Sequence, residues 1–413
     1  MLEDRKKPEL LIPAANLEVL KTAVMYGADA IYIGGDLYGL RAKAKNFSME
    51  EMEEGIAFAH THGKKVYVTA NITAHNQDLA GIRKYFKELH EFGDNRPDAI
   101  IISDPGVFMI AKEELPECEL HISTQANSTN YETYRFWYEQ GASRVVSARE
   151  LSLKELAELR AKIPADMEIE SFVHGAMCIA YSGRCLLSNY FTGRDANMGA
   201  CTHSCRWRYH IVEETRPGEF LPIEENERGT YIFNSKDLCM IEYIPELVKA
   251  GINSFKVEGR MKTALYVATV ARTYRRAIDD FFEDPDLYEK NKTLYMEEVR
   301  KGVNRQFTTG FFFGKPTHED QIYEHNTYEK AYTYLGTVAG EKDGMYMLEQ
   351  KNKFSVGENI EVIRPNGETL EVTVKRIQNE QGEDMESCPH PKQAIYVDLG
   401  TKLDSFDILR RKE

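Results

Sequence analysis

Four cysteines lie close together in the middle of the chain, at Cys178, Cys185, Cys201 and Cys205. Four thiolates within 28 residues can converge on one metal centre, and soft sulfur donors favour zinc or an iron–sulfur cluster. Zinc sites usually contain two short cysteine pairs, each separated by two to four residues. Only Cys201 and Cys205 have such a spacing, so the pattern favours a cluster and leaves zinc as the alternative.

The chain contains seven cysteines, and this odd number does not suit a disulfide framework in a protein of 413 residues. Five of the seven fall between Cys178 and Cys239, and this clustering indicates metal binding or redox chemistry. We therefore regard Cys239 as a reserve ligand and interpret Cys118 and Cys388 as structural. The remaining alternative is that the clustered cysteines are buried and bind nothing.

The elements that must position these cysteines alternate between short apolar runs and stretches of helical spacing. Such alternation implies parallel strands with right-handed crossovers. Eight units predict an α/β fold of the TIM-like (β/α)8 barrel type, in which both faces of each strand are buried. A doubly wound open sheet is the alternative, but no glycine-rich phosphate loop follows the first run. The predicted strands are Glu9–Pro13, Ala30–Gly34, Lys65–Ala70, Ala99–Ser103, Glu119–Ser123, Arg144–Ser147, Glu168–Val173 and Ser254–Glu258.

A long insertion separates the seventh predicted strand from the eighth, at about residues 174–252. A connection between a strand and a helix needs far fewer residues, and this one holds all the clustered cysteines. In (β/α)8 barrels the loops after the carboxyl ends of the strands build the active site. We therefore expect the cysteines at the catalytic end of the barrel.

Two domains are predicted along the chain. Residues 1–325 form the barrel domain with its cysteine-rich insertion, and residues 330–413 form a small C-terminal β-barrel. Within the second domain, Asp343-Gly344 and Asn366-Gly367 are signals for two-residue hairpin turns. We interpret this domain as an accessory binding module rather than a catalytic one.

Polar side chains at the predicted strand ends are candidates for chemistry at the same end of the barrel. His174 could act in catalysis together with Glu258 and Arg260, although a satisfied loop histidine explains His174 equally well. Lys256 and Glu258 are expected to face the barrel interior, where a charged side chain usually has a functional role. The full set is Asn71, Ser103, Asp104, Ser123, Gln125, Asn127, Arg149, His174, Glu258 and Arg260.

The net charge of −14 argues against general nucleic-acid binding, because phosphate contacts need positive charge. A local patch could still bind RNA, since Arg184, Arg194, Arg206 and Arg208 surround the cysteines with only Asp195 opposing them. Aromatic residues in this region could receive unstacked bases, although core packing explains each of them equally well. With no signal-peptide pattern and no run of about 18 apolar residues, we expect a soluble cytoplasmic protein without a membrane partner.

The cysteine segment resembles the signature of the collagenase-like peptidase family of unassigned catalytic type. The resemblance extends to Glu9–Ala14, Gly27–Gly34 and Phe255–Lys262, and it covers almost the whole chain, including a C-terminal barrel like the family's own. Within the run Glu170–Ser188 it is carried by Phe172, Gly175, Cys178, Gly183, Cys185 and Ser188.

This resemblance implies RNA modification rather than simple proteolysis. The family includes RNA hydroxylation proteins and ubiquinone-pathway hydroxylases, and the likeness is strongest to members that form 5-hydroxyuridine at the tRNA wobble position with prephenate as co-substrate. Such members are understood to hold a four-iron four-sulfur (4Fe-4S) cluster. By position, Cys178, Cys185 and Cys201 match its ligands, and Cys205 is the expected fourth.

The implied co-substrate adds arginines to the candidate residues. A dicarboxylate such as prephenate calls for arginine forks. Arg149 and Arg260 are the first choices and Arg41 is the third. The anticodon loop of tRNA would then meet the basic residues around the cysteines.

Two other functions stay open at this point. A collagenase-like peptidase is implied by the family's name, but the sequence has neither a His-Glu-x-x-His helix nor a Gly-x-Ser-x-Gly elbow. Thiolates committed to a cluster could not also attack a peptide bond. The third hypothesis is a non-catalytic RNA-binding or assembly subunit that works with a sister protein of the same family.

Overall fold

The computed structural model describes residues 6–36, 38–39, 46–178, 180–207, 210–211, 221–222, 234–316, 320–322, 329–390 and 392–413. Eight parallel strands form a closed barrel, because the eighth strand pairs with both the seventh and the first. The predicted TIM-like barrel is confirmed. Its strands are Glu9–Pro13, Ala30–Ile33, Lys65–Ala70, Ala99–Ile102, Glu119–Ile122, Arg144–Val146, Glu168–Gly175 and Ser254–Val257.

Helices surround the barrel strands, and their ends follow from local sequence. Ser48 and Ser152 each cap a helix in a reciprocal pair with the glutamate three residues later. Gly141 ends another helix in the left-handed conformation, at φ 100°. The α-helices are Leu17–Met25, Met49–Thr61, Asn76–His90, Pro105–Glu114, Tyr131–Gln140, Leu153–Lys162, Leu187–Thr192, Ile244–Lys249, Ala264–Glu283 and Pro285–Arg300. The 3-10 helices are Gly93–Asn95, Thr124–Ala126, Ala196–Met198, Ser204–Arg206 and Ile241–Tyr243.

The long connection between the seventh and eighth barrel strands carries both the cysteines and short accessory strands. Asp237–Cys239 pairs antiparallel with the end of the seventh strand and parallel with Phe307–Thr308. These two strands extend the barrel sheet on one side of the mouth. The other short strands described in this connection are His210–Ile211, Leu221–Pro222 and Asn234–Ser235, and Gln321–Ile322 lies further along the chain and pairs with Asn234–Ser235.

The C-terminal region forms a curled antiparallel sheet, a half-barrel with its own apolar core. Asp343 and Gly344 both have positive φ, at 53° and 78°, and they form the hairpin turn that the sequence predicts there. The strands are Tyr332–Lys342, Met345–Gln350, Asn359–Ile363, Thr369–Thr373, Arg376–Gln378, Asp384–Met385, Ala394–Asp398 and Ile408–Lys412.

Polar contacts fix this sheet against the barrel. The guanidinium of Arg410, which is fully buried, lies 2.9 Å from Glu298 on the last barrel-domain helix and 2.7 Å from Glu361. The hydroxyl of Tyr26 donates to the backbone oxygens of Ile363 and Phe406. The two regions therefore share a buried interface. No helix among the described residues is long and apolar enough to cross a membrane.

Candidate active site at the mouth of the barrel

A cavity of about 390 Å³ opens at the carboxyl ends of the barrel strands. Parallel strands in a closed barrel deliver their following residues to one end, which is why residues far apart in sequence meet there. Part of its wall comes from predicted strand-end residues. Those that line it are Asn71, Ser123, Gln125, Arg149, Glu258 and Arg260.

The four clustered cysteines line the same cavity. Cys178 and Cys201 are exposed, and Cys185 and Cys205 are half-buried. The insertion therefore forms the wall opposite the strand ends, as the placement of the cysteines after the seventh strand predicts.

Hydrogen bonds hold the cysteine segment on the barrel. The side-chain amide of Asn197 donates to the backbone oxygen of Cys185 at 3.2 Å, and the backbone N–H of Thr73 donates to the oxygen of Asn197 at 3.3 Å. Arg149 donates to the hydroxyl of Ser182 at 3.1 Å. Barrel and insertion are thus joined through the residues of the cavity wall itself.

The sulfur of Cys201 has two donors close by. The Ser188 hydroxyl lies 3.8 Å from it, and the backbone N–H of His203 lies 3.4 Å from it. Ser188 is buried and also accepts from the N–H of Thr202 at 3.0 Å, which fixes the turn that presents Cys201. Hydrogen bonds of this kind to a ligand sulfur stabilise its charge and tune a bound centre.

Thiolates around one cavity are chemically suited to iron–sulfur or zinc binding. Among the described residues, no three histidine, cysteine or acidic side chains lie close enough to hold a metal ion as they stand. A tetrahedral zinc ion with bonds of about 2.3 Å would bring its four sulfurs within roughly 4 Å of one another. A four-iron cluster holds its ligand sulfurs further apart, because iron and sulfide atoms lie between them. The four cysteines around the cavity have the donor chemistry that either group requires.

Among the described residues, the charged lining of the cavity consists of four cations, Arg149, Arg194, Lys256 and Arg260, and one carboxylate, Glu258. The Arg149 guanidinium lies 3.5 Å from Glu258 and stacks over a phenylalanine ring at 3.9 Å. Arg260 is buried and donates to the neutral oxygens of Thr69 and Asn46. This excess of positive charge suits an anionic ligand.

Beneath the cavity, a buried ion network fills the barrel interior. The Lys256 ammonium lies 2.7 Å from Glu170, and Arg144 lies 3.1 Å from the other oxygen of the same carboxylate. Burial alone would raise the pKa of Glu170, but the two cations outweigh it and hold that pKa below its ordinary value. Arg144 also pairs with Glu9 at 2.6 Å. Lys256 faces the interior, as its alternation in the strand predicts.

His174 lies outside the cavity although it is the penultimate residue of the seventh strand. Phe172 pairs with Lys256 and the next pair is His174 with Val257, so the strand bulges by one residue at Val173. The bulge turns His174 away from the interior and against Tyr274, whose hydroxyl is 3.4 Å from Nδ1. Burial, with a smaller effect of a nearby lysine, lowers the pKa of His174 to about 3, so the ring is neutral.

Four other candidates are also placed away from the cavity lining. Asp104 caps the helix that begins at Pro105, and Ser103 donates to the backbone oxygen of Asn71. Asn127 has the left-handed conformation at φ 53°. Cys239 is buried, with its sulfur 3.9 Å from the Tyr274 hydroxyl, and burial raises its pKa to about 12. Arg41 falls outside the described residues.

Thr69 and Asn197 are among the polar lining residues that the sequence reasoning missed. Thr69 lies inside the third strand rather than after it, so a search of strand ends passes over it. Asn197 lies in the insertion, between the cysteines. Polar residues facing inward near the end of a barrel strand, such as Thr69, could have been found from the period-two alternation.

Comparison with known proteins identifies the family of this chain. The family described as "Peptidase family U32" matches residues 15–322, and its C-terminal domain, described as "Peptidase family U32 C-terminal domain", matches residues 330–410. The chain belongs to peptidase family U32. This confirms the family resemblance of the cysteine segment.

Several relatives of this U32 chain have names that refer to RNA hydroxylation. It is 43% identical to "tRNA hydroxylation protein P1" of Bacillus subtilis over 98% of this chain and 95% of the relative. It is 38% identical to "tRNA hydroxylation protein P" of Escherichia coli, over 98% and 97%. It is 37% identical to "tRNA hydroxylation protein P2" of Bacillus subtilis, over 75% and 98%.

Proposed function

We propose that this U32 protein hydroxylates the wobble uridine of tRNA to 5-hydroxyuridine, with prephenate as co-substrate and a 4Fe-4S cluster as cofactor. The observation that carries the proposal is the identity of 43% and 38%, over nearly the full length, to two proteins named for tRNA hydroxylation. The cationic cavity at the barrel mouth supports it, because it offers an enclosed site for an anionic small molecule beside thiols.

The proposed cluster ligands are Cys178, Cys185, Cys201 and Cys205. Support comes from their position around one cavity and from the preference of iron–sulfur clusters for thiolates. When bound, such a cluster supplies a redox-active iron centre. The hydrogen bonds from Ser188 and from the His203 backbone would orient the Cys201 sulfur and tune a centre bound to it.

For prephenate, the proposed carboxylate-binding residues are Arg149 and Arg260, on opposite sides of the cavity lining. Contacts to Ser182 and to Thr69 restrain the two guanidinium groups, so little entropy is lost when they bind an anion. Glu258 lies 3.5 Å from Arg149 and is the one carboxylate in the described part of the lining, which makes it the proposed proton acceptor.

A second proposal concerns assembly. Bacillus subtilis has relatives named P1 and P2, and a sister protein of this kind is a plausible partner for the present chain. A peptidase function has weaker support, because thiolates committed to a cluster could not also attack a peptide bond.

Nucleoside analysis of tRNA tests the proposal directly. In a strain that lacks this gene and any sister gene, we expect 5-hydroxyuridine and its derivatives to disappear and the wild-type gene to restore them. Cys178→Ala should fail to restore them, whereas Cys118→Ala, a buried cysteine of the outer core, should succeed. The proposal is refuted if tRNA from the deletion strain contains as much 5-hydroxyuridine as tRNA from the wild type.

Purification without oxygen tests the cofactor. The protein should be brown and contain iron and sulfide in equal amounts, and Cys205→Ala should lose iron while Cys239→Ala keeps it. A colourless protein with one zinc ion per chain would exclude the cluster.

A further inference from the structure

Exposed aromatic side chains are concentrated on the cysteine segment. Tyr190 is 82% exposed, Trp207 46% and Phe191 42%, and Leu186 beside them is 69% exposed. Large apolar groups at such exposure are individually common, but a contiguous patch of them usually marks a binding surface. These exposed side chains therefore form a candidate binding surface.

The three rings form one continuous surface. The Tyr190 and Phe191 centroids are 5.2 Å apart with their planes at 80°, and the Phe191 and Trp207 centroids are 6.2 Å apart at 48°. The short helix Leu187–Thr192 carries the first two rings, and Trp207 follows the 3-10 helix Ser204–Arg206. Ser188, through its bonds to Thr202, ties these two elements together.

This surface is next to the cavity along the same segment. Cys185 precedes the ring-bearing helix, Arg194 follows it, and both line the cavity. Tyr181 and Met261 line the cavity as well and are themselves exposed, at 46% and 54%. The part of a bound ligand that extends out of the cavity would therefore contact apolar, largely aromatic side chains.

The charge of the segment differs in sign from that of the chain. Arg184 and Arg194 are exposed beside the rings, while Asp195, the one acidic residue between 180 and 207, accepts from the backbone N–H of Asn197 as a cap. In a protein of net charge −14, this is a local cationic surface. Cations between exposed rings match a flexible polyanion that carries flat bases.

We propose that Tyr190, Phe191 and Trp207 form a stacking surface for unpaired RNA bases that flank the nucleotide held in the cavity. This inference rests on the proposed function and names how its RNA partner docks. Each base has a flat face that stacks on an aromatic ring regardless of sequence, and neighbouring arginines contact the phosphates. A loop nucleotide can enter a concave cavity while its neighbours stay on the rings, which neither a base-paired helix nor a flat membrane surface can do.

Fluorescence anisotropy with a labelled RNA hairpin that has an unpaired loop tests the surface in the full-length protein. Tyr190→Ala should raise the Kd for this RNA about fivefold or more, since loss of one stacked base has at least that effect. Tyr190→Trp should keep the affinity. Phe136→Ala removes a ring of 50% exposure on the helix Tyr131–Gln140, away from the cavity lining, and should leave the Kd unchanged.

Binding to a fully paired RNA of equal length distinguishes stacking from charge. Its Kd should be higher and should not change with Tyr190→Ala, whereas Arg194→Ala should weaken both RNAs. The proposal is overturned if Tyr190→Ala and Phe191→Ala bind the loop RNA as the wild type does, or if the wild type does not prefer it. If the binding experiment gives such a result while the wild-type gene restores 5-hydroxyuridine in the deletion strain, the proposed function is retained and only this surface is rejected.

Discussion

The buried carboxylate of Glu170 depends on two cations, and Lys256→Met removes one of them. The Lys256 ammonium is 2.7 Å from one oxygen of Glu170 and Arg144 is 3.1 Å from the other, and neither Glu170 nor Lys256 has appreciable contact with solvent. Methionine keeps most of the length and volume of the lysine side chain, whose ammonium lies 4.5 Å from the centroid of the Tyr32 ring and 5.4 Å from that of Phe172. The substitution therefore acts mainly on charge.

Loss of one partner of a buried ion pair costs about 3–5 kcal/mol, because a charge is left without compensation. Since Arg144 still contacts Glu170, we expect the lower end for Lys256→Met, about 3 kcal/mol of unfolding free energy. The exposed pair Lys162–Glu158, at 2.8 Å, is the matched comparison. Lys162→Met should leave the unfolding free energy nearly unchanged, because an exposed pair contributes little.

Urea unfolding followed by circular dichroism and tyrosine fluorescence measures these differences. The double variant Lys256→Met with Glu170→Gln should regain much of the lost stability, because the uncompensated charge is gone. A loss below about 1 kcal/mol for Lys256→Met would refute the reasoning. So would a double variant whose loss equals the sum of the two single losses.

Two further predictions concern residues beside the cavity. Because the pKa of His174 is lowered to about 3, the unfolded chain takes up a proton below about pH 6.5 that the folded chain does not, so stability falls on acidification. Wild type should lose roughly 2 kcal/mol more than His174→Gln between about pH 7 and pH 5 in urea unfolding, and equal losses would contradict the assignment. Gly175 has φ +104°, and a Cβ there would lie 2.3 Å from the backbone oxygen of Glu258. Gly175→Ala should lower the free energy of unfolding by more than Gly193→Ala does. For Gly193→Ala we expect a loss of roughly 1–2 kcal/mol, because Gly193 has positive φ but open space around it. Equal losses for the two variants would argue against the close approach of Gly175 to Glu258.

The barrel could be predicted closely from the sequence because its strands are short, apolar and punctuated by glycines. Glu9–Pro13 and Lys65–Ala70 begin and end at the predicted residues, and Gly27 and Gly251 have the positive φ expected after a helix. Closure of the barrel brings strand ends together, so the shared position of Arg149 and Arg260 follows from topology alone.

His174 could not be placed from the sequence. A bulge at Val173 inverts the side-chain alternation at the end of the seventh strand, and no local signal in that strand announces it. Asn197 was missed for a related reason, since its position depends on how the insertion folds back on Thr73. Periodicity describes regular elements well, and it carries little information where a strand or a loop departs from regularity.

Closure of the barrel also has a consequence for synthesis on the ribosome. Glu9 at the start of the chain pairs with Ser254, so the ring cannot close until the segment after the insertion has been translated. The cysteines between Cys178 and Cys205 emerge before that segment and before the C-terminal sheet that buries Arg410. During translation they therefore belong to an unfinished, open sheet and are exposed to solvent before the mouth of the barrel has formed.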